Sequence, residues 1–508
     1  MTNFIKVFIY FAMVIVIGWD GATWDILNKY LSKGFLPNLE RLILSGSKGH
    51  LMSTIPPVSA PAWTTFATGK NPGKHGILDF YYKGKLNNSR MIKEPTLWRI
   101  ISHLGGKVGI INVPLTYPPT EVNGFMITGI LTPSTAEDYT YPNDLLKEFP
   151  EYKIDVKLKG EFLFRVLDYD ADINFVKDIE EVSMIRGEVG LKLFEKFNPD
   201  LAVIVFTGVD RIFHNFWFFA DSEKESIGSE IINYFKLLDS LLGRFRDRFP
   251  DADIILMSDH GFGHLPPKLF YVKKFLENSG FIKIPQKEKL YALFKEIIKR
   301  TPLHKLYTAV RKNESIRKSV IDYTLNDGDI QFIDLYFNYG GFIVNNQSLI
   351  KPIYYKLHQL PFIRKVWLRE EIYVGNEVYR FPHIIFKLYE DYHAVGWPPW
   401  GKLIGNRNSP SYTGTHRDNG ILVLNGPNFK NIGGEFVANI QDICPTILYT
   451  LNLPLLDDFD GNILRDFLKI TRKPTFVKKE EIVSGPKEFL ELEEDKELTD
   501  RLKALGYI

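Results

Sequence analysis

The run Val14-Ile15-Val16-Ile17-Gly18-Trp19-Asp20 decides the fold. Four consecutive aliphatic residues followed by glycine describe a strand buried on both faces, and this one ends in a carboxylate. The same device recurs twice. Leu201–Phe206 runs into Thr207-Gly208-Val209-Asp210, and Asp253–Met257 runs into Ser258-Asp259-His260-Gly261. Shorter strands are expected at 51–54, 107–112, 125–129 and 421–424. Helical patterns separate them at 24–32, 36–45, 96–105, 172–197, 231–248 and 442–451. Strands alternating with helices predict an α/β fold, a central mostly parallel sheet with helices on both faces. A Lys-rich helical pattern at 286–323, with Leu290, Leu293, Ile297 and Ile298 at helical spacing, interrupts this order. The expected organisation is therefore a first core part at 1–284, a helical cap insertion at 285–335, a second core part at 336–470, and a charged tail at 471–508 with a short helix.

Outward from the first strand lies residues 54–80, TIPPVSAPAWTTFATGKNPGKHGILDF. Pro56, Pro57 and Pro61 bracket Ser59 in a turn ahead of one or two helical turns. Free amides at a helix start favour an anion there, and a hydroxyl beside them can serve as a nucleophile. A serine in a proline-rich turn is more often a cap or a surface residue. What raises Ser59 above that reading is the set of acids and imidazoles at the strand ends.

Asp20, Asp259 with His260, and Asp210 with His214 all follow buried strands, and His416 just precedes 421–424. The four-residue spacing of Asp210 and His214 puts both on one face of a helix. Ligands of open α/β sheets bind beyond the carboxyl ends of the strands. Three carboxylates and three imidazoles nearly satisfy two divalent ions, and mixed nitrogen and oxygen ligation suits zinc, manganese or iron better than calcium. Two such ions can activate a hydroxyl and hold the oxygens of a phosphoryl group. Each residue also has a plainer reading: an Asp after a strand often caps a helix, and an Asp-x-x-x-His spacing arises readily by chance. His75 and His264 lie in the same loops and could simply order them.

Composition bounds the rest. The chain has 508 residues, 45% hydrophobic and 24% charged, with a net charge of +2. That is ordinary for a globular protein and carries no nucleic-acid-binding signature. Cys444 is the only cysteine, so neither an intrachain disulfide nor a thiolate zinc site can form. The apolar run at 7–17 is too short to span a bilayer and merges with the first strand. Residues 1–12 read as an extra leader, with Met13 as the natural start. A cytoplasmic protein is expected, the alternative being membrane association through this apolar N-terminus.

In five segments the chain resembles the alkaline phosphatase superfamily, most closely its type I phosphodiesterase/nucleotide pyrophosphatase branch and the archaeal and bacterial relatives of that branch. They are VIVIGWDGATWDIL, SAPAWTTFATGKNPGKHGI, FTGVDRIFHNFW, MSDHGFG and THRDNGILVLNGP, in the family's order from residue 14 to about 450. The resemblance implies two divalent cations, zinc first. Asp20, Asp259 and His260 would hold one, and Asp210, His214 and His416 the other. Ser59 would be the nucleophile, where the family usually has Thr, with Thr64 and Thr65 as alternatives. A small-molecule phosphate ester is the implied substrate, most directly a phosphodiester or nucleotide pyrophosphate. Phosphomonoester hydrolysis, phosphotransfer, sulfate ester hydrolysis and non-catalytic binding are the alternatives. The chain departs from the branch at Asp79, where an Asn helps bind the phosphoryl oxygens. Lys70, Lys74, Asn112 and Arg417 are candidate substitutes, and Asp79 itself is a candidate substrate-binding residue by the resemblance, although its carboxylate would repel a phosphate dianion unless a cation neutralised it.

Overall fold

The computed structural model describes residues 13–82, 85–156, 168–223, 225–286, 326–396, 401–407, 413–482 and 498–499. The chain divides into two compact units, one formed by Met1–His264 with Ser411–Ile508, the other by Leu265–Pro410. Nearly all of the anticipated helical pattern at 286–323 and most of the anticipated C-terminal helix fall outside the described residues.

A nine-stranded sheet organises the first unit. Its strands in chain order are β1 (Val14–Trp19), β2 (Ser47–Met52), β3 (Val108–Ile111), β4 (Gly124–Ile127), β5 (Thr140–Tyr141), β6 (Leu201–Phe206) and β7 (Asp253–Met257). After a separate antiparallel pair, β8 (Gly261–His264) and β9 (Gly414–Arg417), the last two strands of the sheet are β10 (Asn419–Asn425) and β11 (Phe436–Asn439). The spatial order is β11-β2-β10-β7-β1-β6-β3-β4-β5. β1 lies parallel to both β6 and β7, and β6 is parallel to β3. β10 inserts antiparallel between β2 and β7.

Both faces of the central strands are buried, as the unbroken apolar runs require. Ile15, Ile17 and Trp19 join Ile204 and Phe206 in a core with helices Trp24–Ser32, Pro37–Leu44, Tyr169–Phe197, Gly208–Ser222 and Glu225–Arg248. Val14 and Val16 join Val203 and Val205 on the opposite face, against helices Ser59–Thr68, Leu97–His103 and Ile443–Thr450. Strands of this kind end where the apolar run ends, so the charges that follow emerge together at one edge of the sheet.

Two local expectations are corrected. The strand expected at 51–54 is Ser47–Met52, its register set by pairing from Ser47–Leu424 to Met52–Asn419. Ser59 does not sit in a turn ahead of a helix: it is the first residue of the helix Ser59–Thr68. Pro56 and Pro57 prevent an earlier start, while Pro61 falls in the first turn, where its missing N–H costs no hydrogen bond. The left-handed Gly69, φ 65°, stops the helix.

In the second unit, a five-stranded antiparallel sheet runs in the order Asn326–Asp327, Ile330–Tyr336, Tyr339–Val344, Ile384–Leu388, Ile363–Leu368. A three-stranded sheet is built on Lys268–Tyr271. Phe270, Phe342, Phe386, Ile353 and Leu357 share its core.

Candidate metal centre

Three carboxylates meet at the carboxyl edge of the sheet, and all three are buried. Asp20 follows β1 directly. Asp210 lies in the first turn of the helix after β6, and Asp259 follows β7. Each has one oxygen committed to a protein donor. Trp63 Nε1–H donates to Asp20 Oδ2 at 3.0 Å. The Gly21 amide donates to Asp259 Oδ1 at 3.2 Å. Arg211 Nη1 donates to Asp210 Oδ2 at 2.9 Å. Gly21 reaches that position through a left-handed turn, φ 74°, and an added Cβ would lie 3.1 Å from the Phe262 ring. A glycine is required there on both counts.

The other oxygen of each carboxylate faces imidazole nitrogens. His260 Nε2 is 3.7 Å from Asp20 Oδ1 and 3.4 Å from Asp259 Oδ2. His214 Nε2 and His416 Nε2 each lie 3.2 Å from Asp210 Oδ1, and 2.9 Å from one another. His260 and His416 stack with ring centroids 3.6 Å apart. Their tautomers follow from their other nitrogens. His416 Nδ1–H donates to the Pro57 carbonyl at 2.8 Å, and His260 Nδ1–H to the Gly261 carbonyl at 3.0 Å. With Nδ1 bonded to a carbonyl, each ring turns its Nε2 into the cluster, as ligating histidines do.

Two sets of ligand atoms are close enough to share an ion: Asp20, Asp259 and His260, and Asp210, His260 and His416. His260 thus belongs to both, whereas the resemblance assigned it to the first alone. His214 joins the second set through its contacts to Asp210 and His416.

This donor set fits a divalent cation on the evidence of its own electrostatics. Among the described residues Asp20 Oδ1 and Asp259 Oδ2 are buried with no hydrogen-bond partner, which costs free energy unless something positive sits between them. Burial, then the charges of Asp259 and Asp210, hold Asp20 well above the ordinary carboxylate range. Burial, then the Asp210 charge, pushes Asp259 up to about 7. Burial also raises Asp210, but the His214 and His416 imidazoles outweigh it and bring it well below the usual value. His416 is held well below the usual imidazole range by burial and then His260. Without a cation the cluster relieves its charge by retaining protons on carboxylates.

Ser59 is brought to this cluster. Its Oγ lies 3.2 Å from His260 Nε2, and the residue is 2% exposed. The rival hydroxyls are committed elsewhere: Thr64 Oγ1 donates to the Ala60 carbonyl at 2.7 Å, and Thr65 Oγ1 bonds His75 Nε2 at 2.9 Å.

The candidate substrate groups fare differently. Lys74 Nζ donates to Asp460 Oδ1 at 2.6 Å and to the Asp458 carbonyl at 2.7 Å. The fully buried Lys70 is bonded to Glu94 and Asp458, both at 2.6 Å. Arg417 donates to the backbone carbonyls of His416 at 3.0 Å and His264 at 2.6 Å. Asp79 Oδ1 accepts from the Phe80 amide at 2.6 Å, a local turn contact. Asn112, left-handed at φ 60° and fully buried, donates from Nδ2 to the Val205 carbonyl at 3.0 Å. Its Oδ1 has no partner among the described residues. The His264 side chain is exposed.

His75 orders its loop. Its Nδ1 accepts from the Ile77 amide at 3.2 Å, so the proton sits on Nε2 and is donated to Thr65. Burial pushes its pKa down to about 3. The unfolded chain therefore binds a proton that the fold refuses between pH ~6.5 and about 3. The His75 contribution is present in full above pH ~6.5 and falls by about 1.4 kcal/mol per pH unit below it. Urea unfolding of the metal-loaded protein at several pH values should show this slope, and His75→Gln should flatten it. Equal slopes in both would remove the assignment.

Reading from the sequence missed the donors behind the ligands. Trp63 carried a signal, four residues after Ser59 on the same helix. Phe262, whose ring packs on His214 and His416 with centroids 4.8 and 5.1 Å away, carried one as the residue two places beyond His260. Arg211, the donor to Asp210, carried none.

A mostly parallel sheet with helices on both faces, and acids and imidazoles gathered at its carboxyl edge, defines an alkaline phosphatase-like protein, the class to which metal-dependent phosphoester hydrolases belong. The family model for type I phosphodiesterase / nucleotide pyrophosphatase matches residues 14–340, and the chain belongs to that family. Among solved structures it is similar to the phosphonoacetate hydrolase of Sinorhizobium meliloti 1021 in complex with phosphonoformate. The identity is 15% and the TM-score 0.54, over 87% of this chain and 95% of that one. It is also similar to murine ectonucleotide pyrophosphatase / phosphodiesterase 5 in complex with AMP, at 15% identity and TM-score 0.52, over 90% and 100% of the two chains. No curated protein sequence matches the chain. Among the described residues, no helix is long and apolar enough to cross a membrane.

Proposed function

We propose that this protein hydrolyses small phosphodiesters or nucleotide pyrophosphates at a two-cation centre, with Ser59 as the nucleophile. The observation that carries the reading is the pair of orphaned carboxylate oxygens on Asp20 and Asp259, facing the same His260 nitrogen that lies 3.2 Å from Ser59 Oγ. Asp20, Asp259 and His260 would hold one divalent ion, and Asp210, His214 and His416 the other, with His260 within reach of both and zinc the first candidate from the mixed ligand set. Bound there, divalent ions supply Lewis acidity, which lowers the pKa of a neighbouring hydroxyl and offsets charge on phosphoryl oxygens.

The chain's own part is positional. Ser59 is fixed at a helix start whose dipole favours an anion. Its hydroxyl proton faces His260 while Nε2 is free, and must leave to solvent once that nitrogen is engaged. Ser59 Oγ then attacks phosphorus in line, one ester oxygen leaves and takes a proton from water, and a second water hydrolyses the seryl phosphodiester that keeps the other group, releasing a phosphomonoester and restoring the Ser59 hydroxyl. Lys70, Lys74 and Arg417 are already bonded to acids or carbonyls. That commitment favours a singly charged diester over a dianionic monoester, because the added charge of the latter would have to be met at the cluster.

The test is a substrate panel on protein reconstituted with Zn²⁺ or Mn²⁺. Bis-p-nitrophenyl phosphate is expected to turn over at least about tenfold faster than p-nitrophenyl phosphate in kcat/KM, a difference of ~1.4 kcal/mol. Hydrolysis of p-nitrophenyl sulfate is expected to be slower still. Preference for the monoester would move the assignment to a phosphatase or phosphotransferase.

A further inference from the structure

We infer that Arg211 and Asp155 are positioning residues of the centre, which fix the orientation of Asp210 without touching cation or substrate; this rests on the two-cation reading above. Arg211 follows Asp210 in sequence, and its guanidinium turns back on that carboxylate, Nη1 donating to Oδ2 at 2.9 Å. The other edge of the fork is held by Asp155 Oδ2, at 2.7 Å from Nη2 and 3.3 Å from Nε. All three side chains are buried, at 1% exposure for Arg211 and Asp210 and 4% for Asp155.

Geometry gives the chain of contacts its purpose. A carboxylate on a free χ2 can offer either oxygen. With Oδ2 tied to Arg211, only Oδ1 remains to face His214 and His416 at 3.2 Å. Asp155 does the same for Arg211, filling the donors that would otherwise swing the guanidinium away. The segment carrying Asp155 is fixed in turn by a second buried arginine. Arg186, 1% exposed, donates through Nη2 to the Ile154 carbonyl and through Nη1 to the Val205 carbonyl at 3.3 Å. Val205 lies on β6, the strand whose end delivers Asp210. The path therefore closes on itself, from β6 through Arg186, residues 154–155 and Arg211 to Asp210.

A purely structural ion pair would have the same distances but different consequences. It would change stability and leave the relative affinities of the two cations alone. Partners behind a ligand typically alter metal affinity by ~10–100-fold, and here the change should fall on one cation of the two.

The test titrates the metal-free full chain with Co²⁺, followed by calorimetry and by the visible absorption of the bound ion. The wild type is expected to take up two equivalents. Asp155→Asn and Arg211→Lys are each expected to weaken one equivalent by ~10–100-fold and leave the other unchanged. Lysine should not rescue, because it restores the charge but not the fork that grips both carboxylates. Wild-type affinity for both equivalents in both variants would overturn the inference. So would equal weakening of both equivalents with a lowered melting temperature, which is the structural outcome. Absence of binding by the wild type would overturn the two-cation reading itself, a result separable from the others. If Arg211→Lys fails to fold, the nearly isosteric Asp155→Asn carries the test.

Discussion

Ser59→Ala is expected to retain both cations and to lose diester hydrolysis by on the order of 10⁴-fold or more in kcat. Alanine keeps the helix start, since Val58 rather than residue 59 occupies the cap position and makes no side-chain cap bond. What disappears is the only hydroxyl within 3.2 Å of His260 Nε2 among the described contacts. Thr64 and Thr65 cannot take over without breaking bonds of 2.7 and 2.9 Å to Ala60 and His75. Ser59→Thr should stay active, because it preserves the oxygen. Single-turnover assays would separate chemistry from product release. Undiminished turnover by Ser59→Ala, with two cations bound, would mean that a water or another hydroxyl attacks.

His260→Ala should have the broadest effect of any ligand change. Among the described residues His260 is the one common to both sets of ligand atoms, so its removal should cost bound metal at both and activity by on the order of 10³-fold or more. Metal content by elemental analysis reads the first effect and the diester assay the second. Retention of two tightly bound ions would contradict the sharing of His260.

The same centre sets a pH dependence that can be followed without any assay of turnover. In the metal-free protein Asp259 is pushed up to about 7, above its unfolded value of ~3.9. The folded state therefore holds the extra proton between these values. The stability this contributes is complete below pH ~3.9 and is lost as pH rises through about 7. Cation binding expels the protons that Asp259 and Asp20 retain, so apparent metal affinity should increase as pH rises through about 7. The His75 slope runs the opposite way in the overlapping range. Subtracting metal-loaded from metal-free unfolding curves isolates the centre, because His75 is common to both.

Much of this was legible in the residues. The three strands that end in Asp20, Asp210 and Asp259 announced themselves because a strand buried on both faces has no polar alternation and stops abruptly at charge. Their parallel order brings those charges to one edge, so the ligand cluster followed from the fold. The beginning of the Ser59 helix was harder to place, because prolines on either side look like turn residues until one sees that Pro61 falls in the first turn. Lys70 and Lys74 looked available for substrate, since their partners Asp458 and Asp460 lie far along the chain. Arg211 and Asp155 were invisible as donor and acceptor for the same reason: second contacts depend on tertiary distance, not on spacing.

The antiparallel pair of β8 and β9 sets the order in which the centre can be completed during synthesis. The chain leaves the first unit at His264 and re-enters it at Ser411, and His264 pairs with Gly414 across those two strands. All of Leu265–Pro410 is made in between. Asp20, Ser59, Asp210, His214, Asp259 and His260 have all emerged before the second unit begins, but His416 has not. Drawing the two strands together across an unfolded segment of this length would cost about 4 kcal/mol in loop closure. A second unit that folds first, with its ends held near each other, removes most of that cost. A nascent chain stalled before residue 414 should thus hold at most the cation set that lacks His416, and bind the other only after release of the strand that bears it.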